Sequence, residues 1–169
     1  ILVTGANGQL AEAIRHTAGK ECDYTFASIA DLDICDTKAI ERYLDNNKVD
    51  IIINTAAYTD VEGAEDNEAM AMAVNGDAVR EFARIAESRG IKLIHISTDY
   101  VFGGDTRHQM PYTEDDEVAP ISAYGRTKAV GEAAVVEYGG IVLRTAWLYS
   151  PWGKNFMLTI SRLATDHKE

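Results

Sequence analysis

Ile1–Ala11, ILVTGANGQLA, is the stretch whose reading decides the fold. "ILVT" is a short apolar run of strand character, and "GANGQLA" leads directly into a helical stretch from Gln9 to Ala18. Gly5, Gly8 and Ala11 meet the spacing Gly-x-x-Gly-x-x-Gly/Ala. Gly5 permits the tight turn, and Gly8 lets the backbone approach a pyrophosphate at the helix N-terminus. A glycine loop alone is weak evidence, because glycine is also the ordinary turn residue. A strand before it and a helix after it favour dinucleotide binding.

Working outward, strands and helices alternate. "DYTFAS" reads as a second strand, Asp36-Thr37 as a helix cap, and "VDIIINTAA" as a buried third strand. The pattern predicts one long helical region from Ala64 to Arg89, with Asn75-Gly76 inside it and Gly90 as its C-cap. "IKLIHIS" is the fourth strand, a helix begins near Ser122, and "GIVLRTAW" is the fifth strand. This order predicts an α/β fold of the Rossmann type, a doubly wound parallel sheet with helices on both faces. Residues 1–169 read as one domain. The loop from Asp99 to Ile121 is long for such a domain, and long loops are more often functional. Its acidic run, "TEDDE", reads as solvated surface rather than a metal site.

The net charge of −11 argues against nucleic acid as a main partner, since phosphate binding needs clustered cations. A nucleotide ligand stays compatible, because backbone amides can hold it. Two cysteines, Cys22 and Cys35, leave no basis for a disulfide framework, and a reducing compartment fits best. His16, His95, His108 and His167 lack metal-ligand spacing, so structural roles and no metal are expected. With no apolar run of membrane-spanning length and no charged leader, a cytoplasmic protein is the default expectation. The opening without Met and the closing amphipathic helix "KNFMLTISRLATDHKE" read as cut ends, with further residues expected after Glu169.

Two motifs carry chemistry. "STDYVFGG" (Ser97–Gly104) crowds hydroxyl, carboxyl and phenol groups at the end of the fourth strand, where open α/β sheets place their sites. "SAYGRTKAVGE" sets Tyr124 and Lys128 four apart, on one helical face. Capping and a solvated helix pair are the bland explanations. Combined with the glycine loop, the set suits ketone reduction. A phenol near pKa ~10 is too weak an acid at neutral pH. A lysine ammonium and a nicotinamide cation are expected to lower it, so that Tyr124 acts as general acid. Thr98 is expected to hydrogen-bond the same carbonyl oxygen. For the cofactor ribose, Asp31 near the end of the second strand tilts toward NADH, while NADPH stays open.

The segments "GANGQL", "INTAAYTDVEGAE", "DLDI", "STDYVF", "SAYGRTKAVGE" and "LRTAWLY…GKNF" span nearly the whole chain in order. On them the chain resembles the extended short-chain dehydrogenase/reductase family, in its sugar-nucleotide-reducing branch. The resemblance implies Tyr124 and Lys128 as catalytic pair that also binds the cofactor, with Thr98 as a third catalytic residue. It implies Gly5, Asn7, Gly8, Gln9 and Leu10 around the pyrophosphate, and Asp33 and Ile34 beside the adenine. It further implies Ala56, Ala57 and Tyr58 along the cofactor, and Thr98, Asp99 and Trp147 against the substrate. The implied reaction uses NADPH or NADH to reduce C4 of a dTDP-sugar, dTDP-4-dehydro-6-deoxy-L-mannose, giving dTDP-L-rhamnose. A homodimer stays open. Most of the family's sugar-nucleotide domain would lie in later residues. Ala11, Gly103 and Ser150 depart from the family's usual Gly, Asp and Gly.

Two alternatives stand beside this one. A 4,6-dehydratase or epimerase shares the scaffold, but Tyr100 follows Asp99 where the dehydratases carry a second acid. A non-catalytic regulatory subunit, like that of methionine adenosyltransferase, can keep the same motifs.

Overall fold

The computed structural model describes residues 1–105, 110–153 and 155–166, so His108 and His167 lie outside the described residues. Among the described residues the strands are β1 (Leu2–Thr4), β2 (Thr25–Ala27), β3 (Ile51–Asn54), β4 (Lys92–Thr98) and β5 (Ile141–Thr145). They form one parallel sheet in the order β2-β1-β3-β4-β5. The helices are α1 (Gln9–Thr17), α2 (Thr37–Asn46), α3 (Val61–Asp66), α4 (Glu68–Met72), α5 (Ala78–Ser88), α6 (Ala123–Glu137) and α7 (Phe156–Asp166). The expected Rossmann-type sheet is the one observed. Right-handed crossovers place α2, α5 and α6 on one face, where they touch in sequence, and α1 on the other.

The chain leaves β1 toward β2 on one side and returns to β3 on the other. The carboxyl ends of β1 and β3 therefore flank a crevice, the position where such sheets take ligands. Register explains how the crevice floor is built. Leu2, Ile52 and Leu93 stand side by side across β1, β3 and β4, buried under Val79, Phe82, Ile85 and Val135. Two residues further along each strand, the same face carries Thr4, Asn54 and His95, all buried. An apolar row thus gives way to a polar row at the carboxyl end of the sheet.

The long helix expected over Ala64 to Arg89 is broken. It starts earlier, at Val61, where Asp60 caps Gly63 N at 2.9 Å. It stops at Asn67, whose φ of −134° is not helical, and resumes as α4. Between α4 and α5 the backbone widens into a π-turn, Ala73–Asp77. Asn75 in this turn is fully buried, and its amide accepts from Tyr58 N (2.9 Å) and donates to Tyr58 O (3.0 Å). The π-turn ties the loop after β3 to the helical layer, a local irregularity that often accompanies function. Gly90, at φ +67°, follows the end of α5 as expected, with Ile91 N bonded to Ala86 O.

Candidate active site

A cavity of about 1000 Å³ opens over the carboxyl ends of the strands. Gly5, Asn7, Gly8, Gln9 and Leu10 form one wall. Gly5 has φ +69°, and a Cβ there would stand 2.8 Å from Ala56 N, so the loop after β1 presses on the loop after β3. Gly8 is the N-cap of α1 and gives no side-chain cap, which leaves the helix N-terminus open to an anion. Lys128 is the one Lys or Arg among the described lining residues, so backbone amides are the natural partners of a phosphate here. Gln9 Oε1 and Ser97 Oγ, on two lining residues, are buried with no hydrogen-bond partner. Orphaned polar atoms of this kind fit a wall built to meet a polar ligand.

Asp33 and Ile34 line the far end, as do Ala56 and Ala57 along the side. Tyr58 does not reach the wall. Its backbone is held by Asn75, and its ring packs against Ala64, Ala71 and Ala123. Asp31 is also off the cavity. Its Oδ2 accepts from Ser28 N (2.9 Å) and Ser28 Oγ (2.6 Å), bonds that hold the carboxyl below its usual range. Ser28 itself lines the cavity, and the sequence reading missed it.

At the centre stand Thr98, Asp99, Tyr124 and Lys128. Ser122 caps α6 by accepting from Gly125 N at 3.1 Å. Arg126 holds the same turn by a bidentate pair with Glu68, both distances 2.9 Å. Tyr124 and Lys128 follow one turn apart. The Tyr124 phenol is held above its ordinary pKa by burial, against the neighbouring Thr98 hydroxyl, which lowers it; Asp99 and Tyr100 raise it further. This departs from the expected lowering by Lys128. Nζ of Lys128 is instead engaged by Ile96 O at 2.7 Å and His95 Nε2 at 3.1 Å. Burial lowers the pKa of Lys128 to about 8, partly offset by Glu132. Trp147, at φ +49°, is largely exposed at the cavity mouth, edge-on to Phe156 with ring centroids 5.6 Å apart.

Beneath Lys128 the polar row is continuous. Thr4 Oγ1 donates to Asn54 Oδ1 (2.6 Å), Asn54 Nδ2 meets His95 Nδ1 (3.1 Å), and His95 Nε2 meets Lys128 Nζ. His95, expected to be structural, thus touches the proposed catalytic lysine. Burial, then the neighbouring Lys128, holds its pKa well below 6.5. The unfolded chain therefore binds a proton that the folded chain refuses, and stability falls as pH drops below 6.5. The expected slope is about 1.4 kcal/mol per pH unit between roughly pH 6 and 5, above the carboxylate range. Urea unfolding across that window checks it. The slope should vanish in His95→Gln, and a slope that persists there belongs to another group.

A doubly wound sheet, an uncapped helix at its glycine loop, and Thr98, Tyr124 and Lys128 over the strand ends define a Rossmann-type domain of the short-chain dehydrogenase/reductase kind. Residues 1–169 match the family described as RmlD substrate binding domain, and the chain belongs to that family. It is 43% identical to a dTDP-4-dehydrorhamnose reductase of Mycobacterium tuberculosis, over 99% of this chain and 56% of that protein. It is 41% identical to a dTDP-4-keto-6-deoxy-D-glucose reductase of Streptomyces niveus, over 96% of this chain and 57% of that one. A crystal structure of dTDP-4-dehydrorhamnose reductase from Bacillus anthracis in complex with NADP matches with TM-score 0.92 and 36% identity, covering 98% of this chain and 59% of that one. The chain thus spans little more than half the length of the curated relatives it matches.

Proposed function

We propose that this chain is the NAD(P)-binding part of a reductase that converts dTDP-4-dehydro-6-deoxy-L-mannose to dTDP-L-rhamnose. The observation that carries this reading is that Thr98, Tyr124 and Lys128 line the same cavity as the open α1 N-terminus. Bound NADPH or NADH would supply the hydride to C4. Thr98 holds the carbonyl oxygen, and Tyr124 gives that oxygen its proton. A phenol kept neutral by burial is the correct form for a proton donor. Gly5, Asn7, Gly8, Gln9 and Leu10 hold the pyrophosphate, and Asp33 and Ile34 the adenine end. Ala56 and Ala57 follow the cofactor, while Tyr58 supports them from behind. Asp99 and Trp147 meet the sugar.

The substrate domain belongs to residues beyond this segment. In support, the β5 edge exposes Ile141 and Leu143, and α7 exposes Phe156, Met157 and Leu163. These apolar surfaces suit a covering segment. Among the described residues no helix is long and apolar enough to cross a membrane. A cytoplasmic site of action fits deoxysugar-nucleotide synthesis.

The assay mixes full-length protein, NADPH or NADH and the 4-keto sugar nucleotide, following loss of reduced-cofactor absorbance and identifying the product. Turnover of the D-glucose-configured ketone alone would reassign the sugar. No oxidation, with cofactor binding demonstrated, would favour the regulatory-subunit reading. Calorimetry tests the glycine wall separately. Gly8→Val projects a branched side chain from the N-cap of α1, and the backbone-to-phosphate approach is expected to be lost. Affinity for NADPH and NADH should fall by at least roughly 10²-fold, the loss of about two charge-assisted hydrogen bonds. Unchanged affinity would remove the loop from the binding site.

A further inference from the structure

Thr98 and Tyr124 reach the cavity from different elements, the end of β4 and α6, so their spacing depends on how those elements are held together. Gly125 brings them into contact at one point, where a Cβ would stand 2.2 Å from Tyr100 O. The second point is Arg144 of β5, which pairs with Ser97 in the sheet and does not line the cavity. Toward α6, its Nε donates to both oxygens of Glu132 (3.0 and 3.1 Å) and its Nη2 to Oε2 (2.8 Å). Glu132 is buried, one helical turn beyond Lys128. Toward the loop after β4, Nη1 donates to Glu114 O at 3.4 Å, and the guanidinium carbon lies 4.8 Å from the centre of the Phe102 ring. Phe102 in turn stacks with Tyr112, ring centroids 4.2 Å apart.

We infer that Arg144 is a positioning residue: one guanidinium ties α6, with Tyr124 and Lys128, to the loop that opens with Thr98 and Asp99. It catches that loop on both sides. Phe102 belongs to the opening turn, where its N–H is bonded to Asp99 O at 3.0 Å, and Glu114 belongs to the return. The return closes on the opening through Ala119 N to Val101 O (2.9 Å) and Gly104 N to Ala119 O (2.7 Å). Arginine suits the place. Its planar fork matches both Glu132 oxygens, while its flat face and remaining N–H groups are left for the loop. A lysine offers one compact ammonium with neither plane nor fork, so it can answer Glu132 but not the loop as well.

The chemical consequence rests on the proposed function. A carbonyl held by Thr98 must meet the Tyr124 hydroxyl, and an offset of about 1 Å costs roughly 10²-fold in rate. The clamp itself stands without that reading.

The experiment pairs amide hydrogen exchange with kinetics in the full-length protein. In Arg144→Lys, exchange at Gly104 and Ala119 is expected to rise by roughly 2- to 30-fold, the loss of one cation–π contact. Amides of β1 and β3 should keep their wild-type rates. The kcat for ketone reduction should fall by about 10- to 100-fold. Cofactor affinity should change little, since the glycine wall lies between β1 and α1. Phe102→Leu removes the ring face and leaves the Arg144–Glu132 pair, so the same two changes should appear in smaller size. Phe102→Tyr keeps the face and should match the wild type in both. Wild-type exchange at Gly104 and Ala119 in a folded Arg144→Lys overturns the clamp. Raised exchange with an unchanged kcat overturns the positioning role. So does a Phe102→Tyr variant as slow as Phe102→Leu, because the face is intact there. Should Arg144→Lys not fold, the two Phe102 variants make the same decision. A wild type that reduces no ketone refutes the proposed function, and the exchange rates then decide the clamp alone.

Discussion

Ketone reduction by the full-length protein is expected to fall by roughly 10²–10⁴-fold in Tyr124→Phe, the range for loss of a positioned general acid. The substitution removes one oxygen and keeps the ring. That ring packs against Ala64, Ala71 and Ala123 and stands edge-on to Tyr100, centroids 5.7 Å apart. Folding and cofactor affinity should therefore change little, which separates loss of the proton from loss of the site. Tyr124 lines the cavity together with Thr98 and Lys128. Initial rates and NADPH affinity on the same preparation check the result. A Phe variant that turns over at the wild-type rate would mean that the carbonyl oxygen takes its proton elsewhere.

Gly131→Ala is expected to destabilise the fold by at least about 3 kcal/mol, in the upper part of the range for overpacked positions. Helix propensity argues the other way, since Ala is better than Gly inside a helix by about 1 kcal/mol. The close approach decides the sign. A Cβ on Gly131 would stand 2.2 Å from Asn75 O, inside the contact distance of any pair of heavy atoms. Asn75 has little freedom to retreat, because its side chain is bonded to Tyr58 N, Tyr58 O and Thr127 Oγ1. Helix α6 must then lift away from the π-turn, moving Lys128 off His95. Urea unfolding measures the loss. Equal or higher stability in the variant would show that α6 and the π-turn do not meet as described.

The sequence by itself determined the sheet, the glycine loop and the shared face of Tyr124 and Lys128. Each of these is encoded over short spans, by apolar periodicity, a three-residue glycine spacing and a four-residue helical step. The helix cap at Asp36 and the helix start near Ser122 were legible for the same reason, and both side chains accept first-turn amides. Helix continuity through Asn67 and Asn75 was not legible. Local propensity runs on there, while the π-turn at Asn75 serves a bond to Tyr58 from another part of the chain. Tyr58 sits behind the cavity wall and Asp31 off it, because burial and partner choice at each depend on elements distant in sequence.

Only the tertiary structure decided the chemistry under Lys128. Thr4 and Asn54 are 50 residues apart, and Asn54 and His95 are 41 apart. Parallel pairing sets them in one row, and a shift of one residue in any strand would turn its member to the opposite face. The direction in which Tyr124 titrates was decided in the same way. Its neighbours in sequence include Lys128, yet burial, with Asp99 and Tyr100 after β4, raises its pKa against the lowering by Thr98. A pKa answers to the dielectric and charges around the group in space, and those are assembled only when β4 and α6 meet.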